Sequence, residues 1–265
     1  MRRGTRQVTS ERDETVRVGE RPIAVKVSAG DGPPLMWCGG FRSDMTGSKA
    51  ETMVEFARER GLASVRFDYS GHGASGGAFR DGTISRWLEE ALAVHEAFVS
   101  GPVVILGSSM GAWIALRMVE ELAKRGIAPH ALVLIAPAPD FTSVLMEPSF
   151  TQAQRQALAR DGYFEEPSAY SDEPTLYTRA LIEDGRQNTV LDKRLRVGAP
   201  VRILQGVADA DVPHEHAQRL VEALPEDDVV LTLVPDGDHR LSRDEDLALL
   251  RRTLESVVQS GSSAA

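Results

Sequence analysis

The sequence has a single cysteine, Cys38, and fewer basic than acidic residues. One cysteine cannot form an internal disulfide, and the sequence shows no Cys/His cluster with the spacing of a structural zinc site. The 30 Lys and Arg against 39 Asp and Glu give a formal net charge of −9, which disfavours a nucleic-acid partner because phosphates need a basic surface. We therefore expect a reducing compartment and a protein that works without a metal or other cofactor.

The chain also lacks a long hydrophobic run. The longest one, ALVLIAPAP at residues 131–139, is far shorter than the ~20 residues that span a bilayer. The N-terminal stretch MRRGTRQVTSERDETV has arginines but no apolar segment typical of a signal peptide, and its acidic residues argue against a transit peptide. These features predict a cytoplasmic protein without stable membrane insertion.

Strand-like and helix-like periods alternate along the 265 residues. Continuously apolar segments such as PPLMWCGG, VVILGSS, ALVLIAP and VRILQG are separated by amphipathic helical patterns, after an antiparallel pair near the N-terminus. This alternation predicts an α/β fold with a mainly parallel, doubly wound sheet covered on both faces. We expect one domain over residues 1–265, with a disordered tail at 260–265.

A long polar and proline-containing segment at about 140–196 replaces the short connection expected there. Connections of this length in a compact domain are often lids or binding segments, so we predict a helical lid insertion. Its apolar side chains would either pack the insertion onto the sheet or line a substrate pocket, and both readings stay open. They include Phe141, Val144, Leu145, Met146, Phe150, Phe164 and Tyr170, with Phe141 and Phe150 as the candidates for substrate binding.

The segment VVILGSSMGAWIAL contains a GxSxG pattern between a predicted strand and a predicted helix. In this context the pattern is typical of a nucleophile elbow, where a tight turn exposes the serine at the carboxyl edge of the sheet. Gly107 and Gly111 would let the strand and the helix approach each other closely. Ser109 is therefore the candidate nucleophile.

The same pattern occurs a second time, at Gly73, Ser75 and Gly77 in GHGASGG. Here the preceding strand ends earlier, at FDYS, and no helix follows at once, so the structural context of an elbow is missing. We therefore expect a loop at the rim of the site and not a nucleophile at Ser75.

A serine nucleophile needs a general base, and the base needs a carboxylate that orients it. His239 lies in the loop after the late strand VVLTLV, while QGVADADVP after the strand VRIL offers both Asp209 and Asp211. Asp209 is favoured because it stands at the turn directly after the strand, whereas Asp211 is nearer the following helix and suits a capping role. Three components in the order Ser, acid, His at three strand ends predict a catalytic triad.

The sequence CGGFRSDMTGSKA follows the first buried strand. Its two glycines allow a sharp turn that can direct the backbone amide of Phe41 into the site, beside the amide of Met110 at the helix N-terminus. Phe41 and Met110 are therefore the candidate oxyanion donors. Cys38 is interpreted as a small buried hydrophobic residue.

Several of these stretches resemble the α/β-hydrolases, in the branch that contains mitochondrial palmitoyl-protein thioesterases and acyl-glucuronide esterases. The resemblance extends from about residue 21 to the last helix and is carried by GGFRSDMTGSKA, RFDYSGHGASGG, ILGSSMGAWIALRM, YFEEPSAYSDEP, PVRILQGVADADVP and DHRLS. It implies Ser109 as nucleophile, Asp209 as acid, His239 as base, and Phe41 and Met110 as oxyanion donors. The absence of a targeting peptide favours a bacterial-type relative.

The resemblance and the residues together predict a cofactor-free serine hydrolase of esters or thioesters. Its substrates would be small or lipid-like acyl compounds, with S-palmitoyl proteins and acyl-glucuronides as candidates. Two alternatives stay open: a hydrolase of another bond, such as a peptidase, and a binding protein that has kept the hydrolase fold without catalysis.

Overall fold

A computed structural model describes residues 10–167 and 173–259. Within these ranges the strands, numbered along the chain, are β1 (Arg12–Val18), β2 (Arg21–Ser28), β3 (Leu35–Cys38), β4 (Ser64–Phe67), β5 (Val104–Ser108), β6 (Ala131–Ile135), β7 (Tyr163–Glu166), β8 (Thr175–Thr178), β9 (Val201–Gly206) and β10 (Val229–Val234). The α-helices are α1 (Ser48–Arg60), α2 (Ile84–Phe98), α3 (Met110–Ala123), α4 (Glu147–Ser149), α5 (Gln152–Arg160), α6 (Arg179–Gln187), α7 (His214–Ala223) and α8 (Asp244–Gln259).

Eight of these strands form one sheet in the order β1-β2-β4-β3-β5-β6-β9-β10. The first two pairings, β1 with β2 and β2 with β4, are antiparallel, and every pairing from β4 to β10 is parallel. The predicted fold class, a mainly parallel sheet with helices, is confirmed. Its parallel centre brings the carboxyl ends of β3, β5, β6, β9 and β10 to one edge, where ligands bind in open α/β sheets.

The centre of the sheet is buried on both faces, as its continuously apolar strands predict, whereas the edge strands β1 and β10 are partly exposed. One hydrophobic cluster packs α2, α3 and α7 against it, and a second packs α1 and α8 on the other side. All residues of β3, β5 and β6 are buried. Within the described ranges, no helix has both the length and the hydropathy needed to cross a bilayer.

The insertion at 140–196 is not purely helical. A π-helical turn at Thr142–Met146 runs into α4, and α5 is followed by an antiparallel hairpin of β7 and β8, in which Tyr163 pairs with Thr178. The hairpin strands have only four residues each, so the sequence gives little periodicity from which to predict them. Tyr170, one of the predicted lid residues, and the predicted tail at 260–265 lie outside the described residues.

Asp140 ties the two ends of the insertion together. This residue is buried, and its carboxylate accepts hydrogen bonds from the amide of Val190 (2.9 and 3.1 Å) and from the amide of Leu191 (2.8 Å). The segments near the two ends of the insertion therefore lie side by side. A lid role for the segment remains a prediction.

Candidate active site

Ser109 occupies the sharp turn between β5 and α3. Its φ of 53° and ψ of −118° are values that a non-glycine residue adopts only where the surroundings enforce them. The amide of Ser109 donates to the carbonyl of Ile135 over 2.9 Å. Its carbonyl accepts from the amides of Ala112 (3.0 Å) and Ala138 (3.2 Å). These bonds hold the serine at the carboxyl end of β5 and at the N-terminus of α3.

The glycines two residues on either side of Ser109 lie in contacts that exclude a side chain. A Cβ on Gly107 would be 2.6 Å from the Cα of Ala112, and a Cβ on Gly111 would be 2.1 Å from the carbonyl oxygen of Cys38. Real Cβ atoms do not approach other atoms so closely. Helix α3 can therefore pack directly against the ends of β3 and β5 because neither position carries a side chain.

His239 and Asp209 lie next to Ser109, although they come from distant loops. The Nε2 atom of His239 is 3.0 Å from the Oγ of Ser109, and its Nδ1 atom is 2.8 Å from the Oδ2 of Asp209. Asp209 follows β9 and His239 follows β10, so the parallel sheet brings both loops to the edge where β5 ends. The Asp209 side chain is fully buried, and that of His239 is 18% exposed.

Hydrogen bonds fix the Asp209 carboxylate in place. Its Oδ1 accepts from the amides of Asp211 (2.9 Å) and Val212 (2.8 Å), and its Oδ2 also accepts from the Nε2 of Gln205 (3.0 Å). Burial raises the pKa of Asp209, but its hydrogen bond and electrostatic attraction to His239, together with the hydrogen bonds of the two amides, outweigh burial and lower the pKa below its usual value. The carboxylate is therefore ionised at neutral pH. The side chain of Asp211 itself is exposed.

The loop after β3 passes beside Ser109. A Cβ on Gly40 would be 3.5 Å from the Cβ of Ser109, and the amide of Gly40 donates to the Oγ of Ser43 over 3.1 Å. The amide of Ser43 in turn donates to the Gly40 carbonyl over 3.2 Å, which closes a tight turn around Phe41 and Arg42. Met110, the other candidate donor, is the first residue of α3. The roles of both amides remain predictions.

Ser75, in the second GxSxG pattern, contacts backbone. Its Oγ donates to the carbonyl of Asp68 over 2.6 Å and accepts from the amide of Ala24 over 2.8 Å. These bonds join the GHGASGG loop to β2. The hydroxyl thus has a structural role.

Phe141 and Phe150, the candidates for substrate binding, lie in different environments. Phe141 is 9% exposed, and its ring centroid is 5.6 Å from that of Trp113 and 5.8 Å from that of Phe41. Phe150 is half-buried inside the insertion, 5.1 Å from Phe164 between ring centroids. Phe141 therefore borders the loop beside Ser109, whereas Phe150 packs within the insertion.

Among the residues that the structure describes, one group has side chains of the types that could ligate a metal ion. Ligand atoms of Asp209, Asp211 and His239 lie within 4.8 Å of one another. Two of these residues already hydrogen-bond each other, and the aspartate also accepts two amides. These hydrogen bonds account for the positions of Asp209 and His239.

Two residues near the site were not predicted from the sequence. His72, in GHGASGG, is buried and accepts a hydrogen bond from the amide of Arg42. Lys49, in SDMTGSKA, donates from Nζ to the carbonyl of Arg240, the neighbour of His239. Both belong to stretches that carry the family resemblance, but their partners are distant in sequence.

A mainly parallel sheet with a serine at a tight strand-to-helix turn on its carboxyl edge is the architecture of the α/β-hydrolases. This chain belongs to the alpha/beta hydrolase family, whose profile matches residues 29–251.

Within that family the chain is similar to palmitoyl-protein thioesterases. The mitochondrial palmitoyl-protein thioesterase ABHD10 of Mus musculus is 30% identical over 239 residues, which cover 89% of this chain and 78% of the relative. The solved structure of mouse alpha/beta hydrolase domain-containing protein 10 has a TM-score of 0.85 at 27% identity, covering 94% of this chain and 99% of that one. A crystal structure from Agrobacterium vitis S4 that carries a hydrolase name has a TM-score of 0.91 at 54% identity, covering 95% and 100%. The predicted resemblance is confirmed.

Proposed function

We propose that this chain is a serine hydrolase that cleaves carboxylic esters or thioesters through an acyl-enzyme. The observation that carries the proposal is the hydrogen-bonded series from Ser109 through His239 to Asp209, with distances of 3.0 and 2.8 Å. A serine hydroxyl is a weak nucleophile at neutral pH, and this series supplies the base and the orienting carboxylate that it needs.

The proposed reaction has two steps. With the Nδ1 proton of His239 directed to Asp209, the Nε2 atom accepts the Ser109 proton while Oγ attacks the acyl carbonyl. The imidazolium then returns this proton to the departing alcohol or thiol, which leaves acyl-Ser109. In the second step His239 deprotonates a water that attacks the acyl-serine, and the carboxylic acid and free serine are released.

The amides of Phe41 and Met110 are the proposed donors to the oxyanion of both tetrahedral intermediates. Support comes from their positions, because the turn around Phe41 passes beside Ser109 and Met110 begins α3. The N-terminus of a helix also carries partial positive charge, which stabilises a developing negative charge.

The proposed substrates have apolar acyl groups on good leaving groups. The thioesterase name of the mouse relative supports thioesters, and S-palmitoyl proteins and acyl-glucuronides are the candidates within this class. Phe141 and Phe150 are proposed to line the acyl pocket under the lid segment. A cytoplasmic location is our prediction from composition, while the mouse relative is named mitochondrial.

The test is a screen of the purified protein on acyl esters and acyl thioesters, with Ser109→Ala and Ser75→Ala in parallel. We expect Ser109→Ala to lower turnover on the order of 10⁴-fold or more and Ser75→Ala to retain activity if it folds. An active Ser109→Ala with an inactive but folded Ser75→Ala would move the nucleophile to the second GxSxG.

Two further measurements separate the alternatives. A peptidase would cleave an amide matched to the best ester at a comparable rate, whereas we expect the ester to react far faster because its leaving group needs less protonation. A binding protein without catalysis would not react with a fluorophosphonate at Ser109, and we expect covalent labelling at that residue.

A further inference from the structure

His72 is a buried histidine that has no part in the proposed reaction. It lies in the loop after β4 and is 4% exposed. Its ring meets those of Phe79, Trp87 and Tyr69 edge to face, with centroid distances of 5.2, 5.3 and 5.8 Å. This aromatic surround fixes the orientation of the imidazole.

The partners of the two ring nitrogens define the tautomer. Nδ1 lies 3.2 Å from the carbonyl oxygen of Ser70, and Nε2 lies 3.1 Å from the backbone nitrogen of Arg42. Because a carbonyl can only accept and an amide N–H can only donate, Nδ1 carries the proton and Nε2 offers a lone pair. Burial, together with the nearby positive charge of Arg42, lowers the pKa of His72 to about 4, against the raising effect of the Ser70 bond. The imidazole is thus a neutral acceptor at neutral pH.

We propose that His72 is a positioning residue for the oxyanion loop, by which we mean residues 40–43 after β3. Its imidazole accepts the hydrogen bond of the Arg42 amide and thereby fixes the peptide unit next to the amide of Phe41. The inference rests on the proposed function, in which the Phe41 amide binds the oxyanion. Arg42 has a φ of 57°, a left-handed conformation that a non-glycine residue holds only with outside support. The hydrogen bond to His72, in the loop after β4, supplies that support.

Arg42 also contacts the insertion through its side chain. The guanidinium of Arg42 donates to the carbonyl of Pro174 over 2.5 Å and to the hydroxyl of Thr175 over 3.1 Å, beside the start of β8. The loop is therefore fixed between the imidazole, which follows β4, and the hairpin. The hydrogen bond to His72 holds the loop independently of the hairpin. Because a small displacement of an oxyanion donor is costly to the rate, we expect this hydrogen bond to affect catalysis.

A matched pair of variants tests this role. In His72→Gln the side-chain oxygen can reach the position of Nε2 and accept from Arg42, whereas in His72→Asn the shorter side chain reaches only Ser70. The Ser70 carbonyl also accepts from the indole of Trp87 over 3.2 Å, so it keeps a donor in both variants. His95→Asn, at another buried histidine on α2, is the control for the general cost of burying an asparagine.

We expect His72→Asn to lower kcat/KM by about 10- to 100-fold, mainly through kcat, and to weaken a trifluoromethyl ketone inhibitor in parallel. His72→Gln should recover most of this loss, and the Arg42 amide should exchange hydrogen faster in His72→Asn than in His72→Gln. His72→Asn with wild-type kinetics would overturn the proposal. So would equal losses in His72→Gln and His72→Asn, or a loss of the same size in His95→Asn.

Wild-type protein provides a check that does not depend on the folding of a variant. The ¹⁵N shifts of His72 should show protonated Nδ1 and unprotonated Nε2 at pH 7, and the opposite tautomer would overturn the proposal. Ser109→Ala is assayed alongside, because its activity tests the proposed function separately. An inactive Ser109→Ala with a fully active His72→Asn would remove this inference alone.

Discussion

The backbone of Gly111 passes so close to Cys38 that a Cβ on the glycine would lie 2.1 Å from the Cys38 carbonyl oxygen. The first turn of α3 is thus pressed against the end of β3, and this contact sets where Ser109 stands relative to the loop that carries Phe41. The position of Ser109 therefore depends on the close packing of these two backbone segments.

Gly111→Ala should therefore destabilise the protein and lower its activity. The new methyl group would collide with backbone, and overpacking of this kind typically costs about 1–3 kcal/mol or more. Thermal unfolding and ester hydrolysis measure the two effects. Gly47→Ala is the control, because a Cβ there would lie 3.9 Å from the carbonyl oxygen of Asp44, an ordinary contact distance. Equal melting temperatures for Gly111→Ala and wild type would contradict the tight contact.

Much of the fold follows from simple patterns in the sequence. The strands around VVILGSS and ALVLIAP are buried on both faces, so their apolar residues are continuous and easily recognised. The juxtaposition of Ser109 with Asp209 and His239 follows as well, because each candidate comes after a strand and the carboxyl ends of parallel strands share one edge.

Other features depend on contacts that no local pattern records. The β7–β8 hairpin has strands of four residues inside a polar segment, so period-2 alternation is too short to detect. Asp140 looks like an ordinary loop residue until the chain returns with Val190 fifty positions later. The acceptor role of His72 likewise depends on a backbone amide from another loop.

Asp209→Asn should lower kcat far more than Asp211→Asn. The asparagine cannot stabilise the imidazolium and can favour the wrong tautomer of His239, an effect that costs about 10⁴-fold in other triads. Asp211 donates its amide to the Asp209 carboxylate and its own side chain is exposed, so we expect the replacement of that side chain to change kcat only a few-fold. Steady-state kinetics on one p-nitrophenyl ester compare the two. Similar losses, or the reverse order, would reject Asp209 as the orienting acid.

Cys38 should be inert to alkylation in the folded protein. The side chain is fully buried, and burial raises the pKa of its thiol to about 12 against the lowering effect of a hydrogen bond with Tyr69. Because the thiolate is the reactive form, only about 10⁻⁴ of the thiol would be ionised at pH 8. Iodoacetamide should modify the protein rapidly in urea and hardly at all without it. Rapid labelling under native conditions would show that the strand end opens.

Lys49→Met should lower activity without a matching loss of stability at pH 7. Its Nζ donates to the carbonyl of Arg240, so its removal should loosen the loop of His239, and we expect a ~10-fold loss of kcat/KM. Burial and the charge of Arg240 lower the pKa of Lys49 to about 8, although Asp238 and Asp246 raise it. The charged form is thus disfavoured on folding. The charged Lys49 therefore lowers the free energy of unfolding. This penalty is full below about pH 8 and fades as the pH approaches the ordinary lysine pKa of about 10.4.

The sign of the stability effect provides the check. The melting temperature of Lys49→Met relative to wild type should be higher at pH 7 than at pH 10, because the wild-type protein bears the full penalty only at the lower pH. A variant that is less stable at pH 7 than at pH 10, relative to wild type, would contradict it. Wild-type kcat/KM in Lys49→Met would remove Lys49 from the support of His239.

The final prediction concerns the acyl pocket. Aromatic rings form a row from the insertion to the loop that carries Phe41: Phe150 to Phe164 at 5.1 Å, Phe164 to Tyr177 at 5.2 Å, and Tyr177 stacked on Phe41 at 6.2 Å. An acyl chain that extends from Ser109 along this row would bury its methylenes, at roughly 0.8 kcal/mol each. This energy corresponds to about fourfold in kcat/KM per methylene. We therefore expect kcat/KM to rise with chain length over the range that the row covers.

Phe150→Ala should flatten that rise for the longer chains and leave acetyl esters unaffected, because Phe150 lies at the outer end of the row. Phe141 is buried against Trp113 and Phe41, so its replacement by alanine should cost about 3–5 kcal/mol of stability, and Phe141→Leu is the better kinetic variant. The measurement is kcat/KM for thioesters and p-nitrophenyl esters from two to sixteen carbons. Phe98→Ala, a half-buried phenylalanine on α2 outside the insertion, is the control. A profile that is flat in wild type, or that Phe150→Ala changes no more than Phe98→Ala does, would assign these rings to packing alone.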